Sequence, residues 1–495
     1  VARFIEITHG AYAGHLGPEL LSKIEAIYSN EPSLKPHWFP PGSRPGGEAY
    51  VPWVASLPET FREMHGYDLV PRMGELFSEK AGEYSRPRLH FYQTVGAIMA
   101  ESYAGQIARW CRRHGTRLTG HILAEELICY HPSLYGDFFK QIQGFDLPGA
   151  DMAILQPDET AAGRFIGVRF VSSAARAAGK RHVQALMDPI LGKWVDETGR
   201  LARAPIESLI RSANLLFYNG VNFVTIYGPW DQYPAAESQR FNLCVGRLAA
   251  LLRDAANDAR VAAYYPLESF QARYRPTANT IWSEQKEYWD LQSSVWNIER
   301  MCHDHGIDHN FLNADAILKS RLRGGAMVVG GCRYQVLLMP AMGVIPLDVL
   351  KKIVRFEAAG GRVIWTGTLP HLGARETEDS TIATIMADRA RVTRRDDVLA
   401  AVLATVPREF VFDCAPEARR GLLVSKYVRG GGELFLVIND GAAPVDLRAL
   451  RCVGEARLKV YDPFGGTISA MDAGNGIAIG PRRALVFSPR KGESR

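Results

Sequence analysis

Residues 23–32, KIEAIYSNEP, form a short apolar run that stops abruptly at an Asn-Glu-Pro sequence. Four similar β-rich runs follow it along the chain, at 116–123 (TRLTGHIL), 151–156 (DMAILQ), 182–187 (HVQALM) and 222–227 (NFVTIY). Amphipathic stretches separate these runs, and the clearest covers 88–115 and closes on a glycine, as helices commonly do. The alternation of strand and helix patterns over 1–255 predicts βα units around a parallel sheet.

A closed (β/α)8 TIM barrel contains eight strands, and five are recognisable here. Two interpretations follow: the barrel is open, or about three units precede Val1 and the barrel is N-terminally incomplete. Residues 256–405 alternate short buried runs with helices and Gly-Gly turns, which favours a second, doubly wound α/β domain. In 406–495 the pattern is all strand, with Gly, Pro and Asp turns, and it predicts a C-terminal β-sandwich.

The composition is that of a soluble globular protein, with 47% hydrophobic and 22% charged residues. The net charge of +5 is spread along the chain without a basic run, so nucleic acid is not an expected partner. No apolar run approaches the roughly 20 residues that cross a bilayer, and no membrane span is expected. The chain opens at Val1 inside a periodic segment, which indicates a processed or shortened start, and its compartment is cytoplasmic, periplasmic or secreted.

Acidic residues follow three of the predicted strands, at the end where the loops of a barrel converge on one pocket. Glu31 comes directly after the first strand, with Asn30 before it. Glu125 and Glu126 follow the second strand, and at most one of them faces the pocket because adjacent residues point to opposite sides. Asp188 follows the fourth. Paired carboxylates, one acting as acid and one as base or nucleophile, are what glycoside hydrolysis requires.

Glu31 is the expected general acid of this set, because a neighbouring amide such as that of Asn30 holds a sugar hydroxyl while the carboxyl protonates the glycosidic oxygen. Glu125, Glu126 or Asp188 is the expected base or nucleophile. Polar and aromatic side chains near the same rim are the expected substrate contacts, since sugars stack on aromatic faces: Asn30, His121, Trp38, Trp53, Trp194, Tyr227, Trp230 and Tyr233.

The sequence lacks the motifs of several other enzyme classes. There is no G-x-S-x-G elbow, the motif of serine hydrolases. There is also no P-loop and no G-x-G-x-x-G after a strand, and the absence of these two motifs argues against a nucleotide enzyme. The seven cysteines show no CxxC spacing, and the tract of Cys302, His303, His305 and His309 matches no standard metal site. We therefore expect no required cofactor, and the sequence assigns no metal ligands.

Blocks in a fixed order along the chain resemble the α-L-rhamnosidases of glycoside hydrolase family 106. They include RFIEITHGAYAGHLGPEL (3–20), IEAIYSNEP (24–32), HFYQTVGAIMAESY (90–103), WCRRHGTRLTGHILAEE (110–126) and GVNFVTIYGPW (220–230), and the resemblance covers most of the chain. It implies a catalytic (β/α)8 barrel of which this chain holds strands four to eight. It also implies a flavodoxin-like domain, similar to that of trimeric β-galactosidases, and terminal β-domains.

On this resemblance Asp188 lies on the seventh strand, where related barrel enzymes carry their second catalytic carboxylate. Those enzymes usually have a Ser-Glu pair there, whereas this sequence has Met187 and Asp188, and Tyr227 replaces a histidine common in the family. The resemblance further implies inversion of configuration, a Ca²⁺ ion held by carboxylate and carbonyl oxygens, and a homo-oligomer formed through the flavodoxin-like domain.

Two other functions are consistent with the sequence. The Asn-Glu pair and the flavodoxin-like domain favour a retaining, β-galactosidase-like glycosidase. The absent Ser-Glu pair and the absent strands favour a catalytically silent protein that binds carbohydrate or serves assembly. In each case the expected partner is a carbohydrate or glycoside.

Overall fold

The computed structural model of the chain describes residues 1–495 except 36–48, 154, 155, 157, 158, 160, 162, 164, 189–193, 195, 197, 201, 229, 277–287, 453–456 and 490–495. Trp38, a predicted substrate contact, falls in the first of these gaps and lies outside the described residues.

The first sheet contains five parallel strands that lie side by side in chain order: β1 (Ile27–Asn30), β2 (Leu118–His121), β3 (Leu147–Ala153), β4 (Gln184–Asp188) and β5 (Phe223–Ile226). Among the described residues, α-helices precede, separate and follow them: α1 (Ala2–Phe4), α2 (Gly10–Lys23), α3 (Leu57–His65), α4 (Met73–Phe77), α5 (Arg86–Ala100), α6 (Gln106–Arg113), α7 (His131–Tyr135), α8 (Phe138–Gly144), α9 (Ile166–Ala177), α10 (Ile206–Tyr218) and α11 (Ala235–Leu252). The predicted parallel βα arrangement is confirmed.

Alternate residues of each strand point to opposite faces of this sheet. On β4, Ala185 and Met187 are fully buried on one face, while Asp188 at the strand end is half-buried on the other. That second face is concave and open to solvent at its far edge, where Phe223 of β5 is 48% exposed. The concave face is where the loops after the strands bring polar side chains together.

Strand β3 begins earlier than the sequence pattern predicts. The pattern indicated a strand over 151–156, whereas β3 covers Leu147–Ala153 and includes Pro148 and Gly149. Gly149 is required by packing and not by a turn, because a Cβ there would lie 2.6 Å from the backbone oxygen of Gly120 and would also meet the side chain of Gln184. The shift moves Asp151 from the start of the strand to its second half.

The middle of the chain forms a parallel sheet and a small antiparallel one. Its strands are β6 (Ala256–Asn257), β7 (Val261–Tyr264), β8 (His309–Leu312), β9 (Arg321–Arg323), β10 (Ala326–Val329), β11 (Cys332–Tyr334), β12 (Val336–Met339) and β13 (Arg362–Trp365). Its helices are α12 (Leu267–Arg273), α13 (Trp289–Asp304), α14 (Ala314–Lys319), α15 (Leu347–Ala358), α16 (Asp379–Met386) and α17 (Arg395–Thr405). The parallel sheet has the order β13-β12-β7-β8, in which the chain's second strand lies outside its first, as in flavodoxin-like sheets.

The last part of the chain is antiparallel. Its strands are β14 (Phe410–Asp413), β15 (Leu422–Arg429), β16 (Gly432–Asn439), β17 (Val445–Cys452), β18 (Arg457–Asp462), β19 (Thr467–Asp472), β20 (Ile477–Ile479) and β21 (Arg483–Pro489). A sheet of order β19-β18-β21-β16-β15-β6 and a sheet of order β14-β17-β20 share one core, to which Phe410, Phe435 and Phe487 contribute. Strand β6 joins this larger sheet, so Ala256–Asn257 pair with the C-terminal strands and not with their neighbours in sequence.

No helix among the described residues is long and apolar enough to span a bilayer.

Candidate active site

Three polar side chains from successive strands meet on the concave face of the first sheet. Glu31 follows β1, His121 ends β2, and Asp151 belongs to β3. One ligand-type atom from each, a carboxylate oxygen or an imidazole nitrogen, lies within 4.8 Å of the other two. Among the described residues this is the only such group of three His, Cys, Asp or Glu side chains.

Glu31 is held at the strand end by an unusual backbone conformation. Its N–H donates to the carbonyl of His121 at 3.2 Å, which extends the pairing of β1 and β2 by one residue. Its φ is 46°, in the left-handed region that costs a non-glycine residue about 1–2 kcal/mol. The side chain remains 24% exposed, so the carboxyl can reach a ligand in the open concavity.

His121 is buried between Tyr28 and Glu31. The Tyr28 hydroxyl lies 2.6 Å from Nδ1 of the imidazole, and Nε2 lies 3.8 Å from a Glu31 oxygen. Because a carboxylate prefers to face an N–H, we assign the proton to Nε2 and make Tyr28 the donor to Nδ1. Partial burial is the main cause that raises the pKa of Tyr28, and the nearby carboxyls of Asp151, Glu125 and Glu31 add to it, so the phenol stays protonated.

A glycine brings the first two strands close enough for this contact. Gly120 has φ 139°, and a Cβ there would lie 1.9 Å from the carbonyl oxygen of Ser29. No other residue fits this approach of backbone to backbone. The next residue, His121, is thereby placed opposite Asn30, whose own side chain is exposed.

Glu125 is buried next to the site and contacts the backbone of Asp151. Its carboxyl is 4% exposed and accepts the backbone N–H of Asp151 at 3.1 Å, which ties the turn after β2 to β3. Burial raises its pKa well above the ordinary range of a carboxyl, and the charges of Asp151 and Glu126 raise it further. Burial therefore favours the protonated, neutral form of Glu125, whose carboxyl oxygen holds β3 in place.

The other two predicted carboxylates lie five residues after the end of β2, in the case of Glu126, and at the end of β4, in the case of Asp188. Glu126 is half-buried, and its carbonyl accepts a hydrogen bond from the Trp296 indole at 3.3 Å, which fixes its backbone against α13. Asp188 ends β4 on the concave face, in register with Ala153 and so two residues beyond Asp151 along the sheet. The glycine turn after β5 passes close by, since a Cβ on Gly228 would lie 3.8 Å from an Asp188 oxygen.

The predicted aromatic contacts divide into buried and exposed rings. Trp194 and Tyr233 are buried, and the Tyr233 hydroxyl donates to the carbonyl of Ala204 at 2.8 Å. Trp230 is half-buried and packs on Tyr233 with ring centroids 5.0 Å apart. Tyr227 and Trp53 are exposed, so these two rings present free faces of the kind on which sugars stack.

Asp151 was not among the residues predicted from the sequence. The expected strand over 151–156 placed it at the beginning of a strand, far from the end where catalytic groups collect. The signal was present in the preceding residues 147–150, LPGA, which carry enough apolar character to start the strand four residues earlier.

Comparison with solved structures identifies the class to which this fold belongs. No protein-family model matches the chain, and no curated protein matches it. Three solved structures that match it over most of its length are glycoside hydrolases. The chain has the fold of this class.

A rhamnosidase from Novosphingobium sp. PP1Y is similar at a TM-score of 0.71 and 17% identity, over 100% of this chain and 47% of that protein. A β-galactosidase from Bacillus circulans sp. alkalophilus is similar at a TM-score of 0.62 and 12% identity, over 98% of this chain and 82% of that one. An exo-carrageenase from Bacteroides ovatus is similar at a TM-score of 0.59 and 9% identity, over 92% of this chain and 66% of that one. The chain thus spans about half the length of the rhamnosidase.

Proposed function

We propose that this chain carries the acid/base carboxylates of an α-L-rhamnosidase-like glycoside hydrolase and cleaves a glycosidic bond. The observation that carries the proposal is the meeting of Glu31, His121 and Asp151 on the concave face at the ends of parallel strands. Glycoside hydrolysis needs two carboxyl groups on either side of one bond, and these strands supply them. The likeness in fold to a rhamnosidase supports the same conclusion.

Glu31 is the proposed general acid. Its carboxyl is partly exposed and lies 3.8 Å from Nε2 of His121, the nitrogen to which we assign the proton. As acid it donates its proton to the glycosidic oxygen while the bond to the anomeric carbon breaks. Tyr28, through His121, is a positioning residue for this carboxyl.

Asp151 and Asp188 are the proposed partners of Glu31. Asp151 has an oxygen within 4.8 Å of Glu31, which is closer than the roughly 6.5–9.5 Å that leaves room for the attacking water of an inverting enzyme. Asp188 lies on the strand next to that of Asp151 and two residues further along the sheet, and it is the other candidate. Inversion with Asp188 as base agrees with the family resemblance. Glu125 is buried, and its raised pKa favours the neutral form, so it is proposed to support β3 and not to attack the sugar.

The short separation favours a second candidate, a retaining β-galactosidase-like glycosidase with Asp151 as nucleophile, and the fold likeness to a β-galactosidase agrees with it. Proton NMR of the first-formed anomer distinguishes the two. An inverted product that is lost in Asp188→Asn supports the first candidate, and a retained product that is lost in Asp151→Asn supports the second.

A screen of nitrophenyl glycosides tests the proposal itself. Wild type is expected to release nitrophenol from at least one of them, and Glu31→Gln to release it more slowly, by less than the about 10²–10⁴ of full general-acid catalysis because nitrophenol departs with little protonation. Glu19→Gln is the matched control, because Glu19 is a largely exposed helix residue whose carboxylate forms an ion pair with Lys23 one turn away. Saturable sugar binding without hydrolysis by wild type would overturn the enzymatic proposal in favour of a silent carbohydrate-binding protein.

The Ca²⁺ ion implied by the family resemblance does not fit the group of three. Ca²⁺ takes six to eight oxygen ligands, whereas Glu31 and Asp151 offer carboxylates and His121 offers a nitrogen. No step proposed here uses a metal. Self-association through the middle sheet stays a prediction.

A further inference from the structure

A second cavity lies away from the Glu31 group and shares no lining residue with it. It has a volume of about 580 Å³ and lies between the first turns of α5, the α3–α4 segment and the loop before α16. This is the size of pockets that hold small ligands. Ser85, Arg72 and Arg375 contribute polar groups to its wall, and the ring of Tyr84 contributes an aromatic one.

The walls of this cavity are held in place by contacts between the two parts of the chain. Arg86 Nη2 lies 2.6 Å from both carboxylate oxygens of Asp379, and Asp379 also accepts the N–H of Gly373 at 2.8 Å. The ring of Tyr84 packs directly on Gly343, where a Cβ would approach it to 2.4 Å. The cavity is therefore formed before any ligand binds.

Two stacked imidazoles with assigned tautomers line one side. His65 and His90 are 4.2 Å apart between ring centroids. His90 Nε2 donates to the carbonyl of Ala374 at 3.0 Å, so its proton is on that nitrogen, and Nδ1 accepts from Tyr67 at 2.9 Å. Thr94 donates to a backbone carbonyl, so it accepts from Nε2 of His65 at 3.1 Å.

Nearby arginines lower the pKa of both imidazoles. Burial is the largest cause that lowers the pKa of His90 to about 4, and Arg86, Arg375 and Arg72 lower it further. His65 falls to about 3 through burial, the neighbouring imidazole and Arg375. Both rings are therefore neutral at neutral pH.

The acidic groups at the cavity are already engaged or exposed. Glu75 accepts two bonds from Arg72, at 2.6 and 3.0 Å. Asp379 is paired with Arg86, and Glu376 is exposed. No ion-pair partner is found for Arg375 among the described residues, and this arginine is exposed, so its guanidinium is available to a ligand in the cavity.

Ser85 adds an independent sign of a ligand. It is the N-cap of α5, yet its hydroxyl makes no capping bond, and the second helical residue, Pro87, has no N–H to offer. Ser85 is 3% exposed, and no hydrogen-bond partner for its Oγ exists among the described residues. The unpaired hydroxyl lies beside the positive end of a 15-residue helix, an arrangement that favours anions.

We propose that this cavity binds a sugar-sized ligand bearing an oxyanion, a carboxylate, sulfate or phosphate, with Arg375 and Ser85 as its direct donors. Nδ1 of His65, which the bonds assigned above do not use, suits a sugar hydroxyl, and the Tyr84 ring suits the apolar face of a sugar. The proposal does not depend on glycosidase activity, because the cavity shares no residue with the Glu31 group.

Isothermal titration calorimetry with glucuronate, glucose 6-sulfate, glucose 6-phosphate and glucose tests the proposal and distinguishes the anions. At least one acidic sugar is expected to bind saturably, with glucose at least tenfold weaker, since a hydrogen bond to a charged group accounts for about a factor of ten or more. Arg375→Gln and Ser85→Ala are each expected to weaken that binding about tenfold.

Two variants serve as controls. Arg112→Gln removes an arginine that is mostly exposed and paired with Asp146 elsewhere, and Glu31→Gln alters the active site; both should bind the acidic sugar as wild type does. Failure of every acidic sugar to bind would overturn the proposal. So would equal binding of glucose, equal binding by Arg375→Gln and Ser85→Ala, or loss of binding in Glu31→Gln.

Discussion

Replacing Glu125 by glutamine tests whether this carboxyl is neutral in the folded protein. The glutamine has the same shape, stays uncharged, and keeps an oxygen for the N–H of Asp151, which Glu125 accepts at 3.1 Å. The structure raises the pKa of Glu125 through burial first and through Asp151 and Glu126 next. The unfolded chain returns it to about 4.3.

The sign of the effect follows from which state binds the proton. Between about pH 4.3 and the raised pKa of the folded state, the folded protein holds a proton that the unfolded chain has lost. The stability contributed by this group is therefore complete below about pH 4.3 and falls as pH rises, by about 1.4 kcal/mol per pH unit within that window. Glu125→Gln lacks this decrease.

Urea unfolding at several pH values between about 5 and about 7 measures the difference. The free energy of unfolding of Glu125→Gln, relative to wild type, should increase with pH, while Glu19→Gln should show no such trend because Glu19 is exposed. Parallel curves for wild type and Glu125→Gln would refute the reasoning, since Glu125 would then be ionised in the folded state.

Three further changes have expected outcomes. Tyr28→Phe removes the hydroxyl that lies 2.6 Å from Nδ1 of His121. Because this nitrogen is then unpaired, urea unfolding should show a free energy of unfolding lower by about 1–3 kcal/mol. Steady-state kinetics should show kcat reduced more than KM. Arg169→Met breaks a buried pair with Asp308 at 2.7 Å and should destabilise by about 3–5 kcal/mol in urea, whereas loss of an exposed pair would change little. Dialysis against EDTA should leave hydrolysis unchanged, and activity lost there and restored by Ca²⁺ would contradict the assignment of no metal.

The parallel sheet could be predicted because each strand is a short apolar run that ends in polar or turn-forming residues. Glu31 was found for that reason, since its strand ends visibly at an Asn-Glu-Pro sequence. Asp151 was missed because Pro148 and Gly149 resemble a turn in the sequence, while in the fold Gly149 makes room for the side chain of Gln184.

Contacts between distant residues could not be predicted. Tyr28 and His121 are 93 residues apart in sequence, and their hydrogen bond depends on the register of β1 and β2. The same holds for burial: Tyr233 and Tyr227 are alike in sequence context, yet one is buried and the other is 55% exposed. The sequence alone, without the tertiary packing, does not show which of two such tyrosines is buried.

The most direct test of the central claim, that Glu31 is the general acid, compares two leaving groups. The ratio of kcat/KM for a dinitrophenyl glycoside to that for the matching phenyl glycoside is measured in wild type and in Glu31→Gln. A good leaving group departs without protonation, so the variant should lose about 10²–10⁴ in rate on the phenyl glycoside and far less on the dinitrophenyl glycoside. An equal loss on both substrates, or no loss on either, would contradict the assignment.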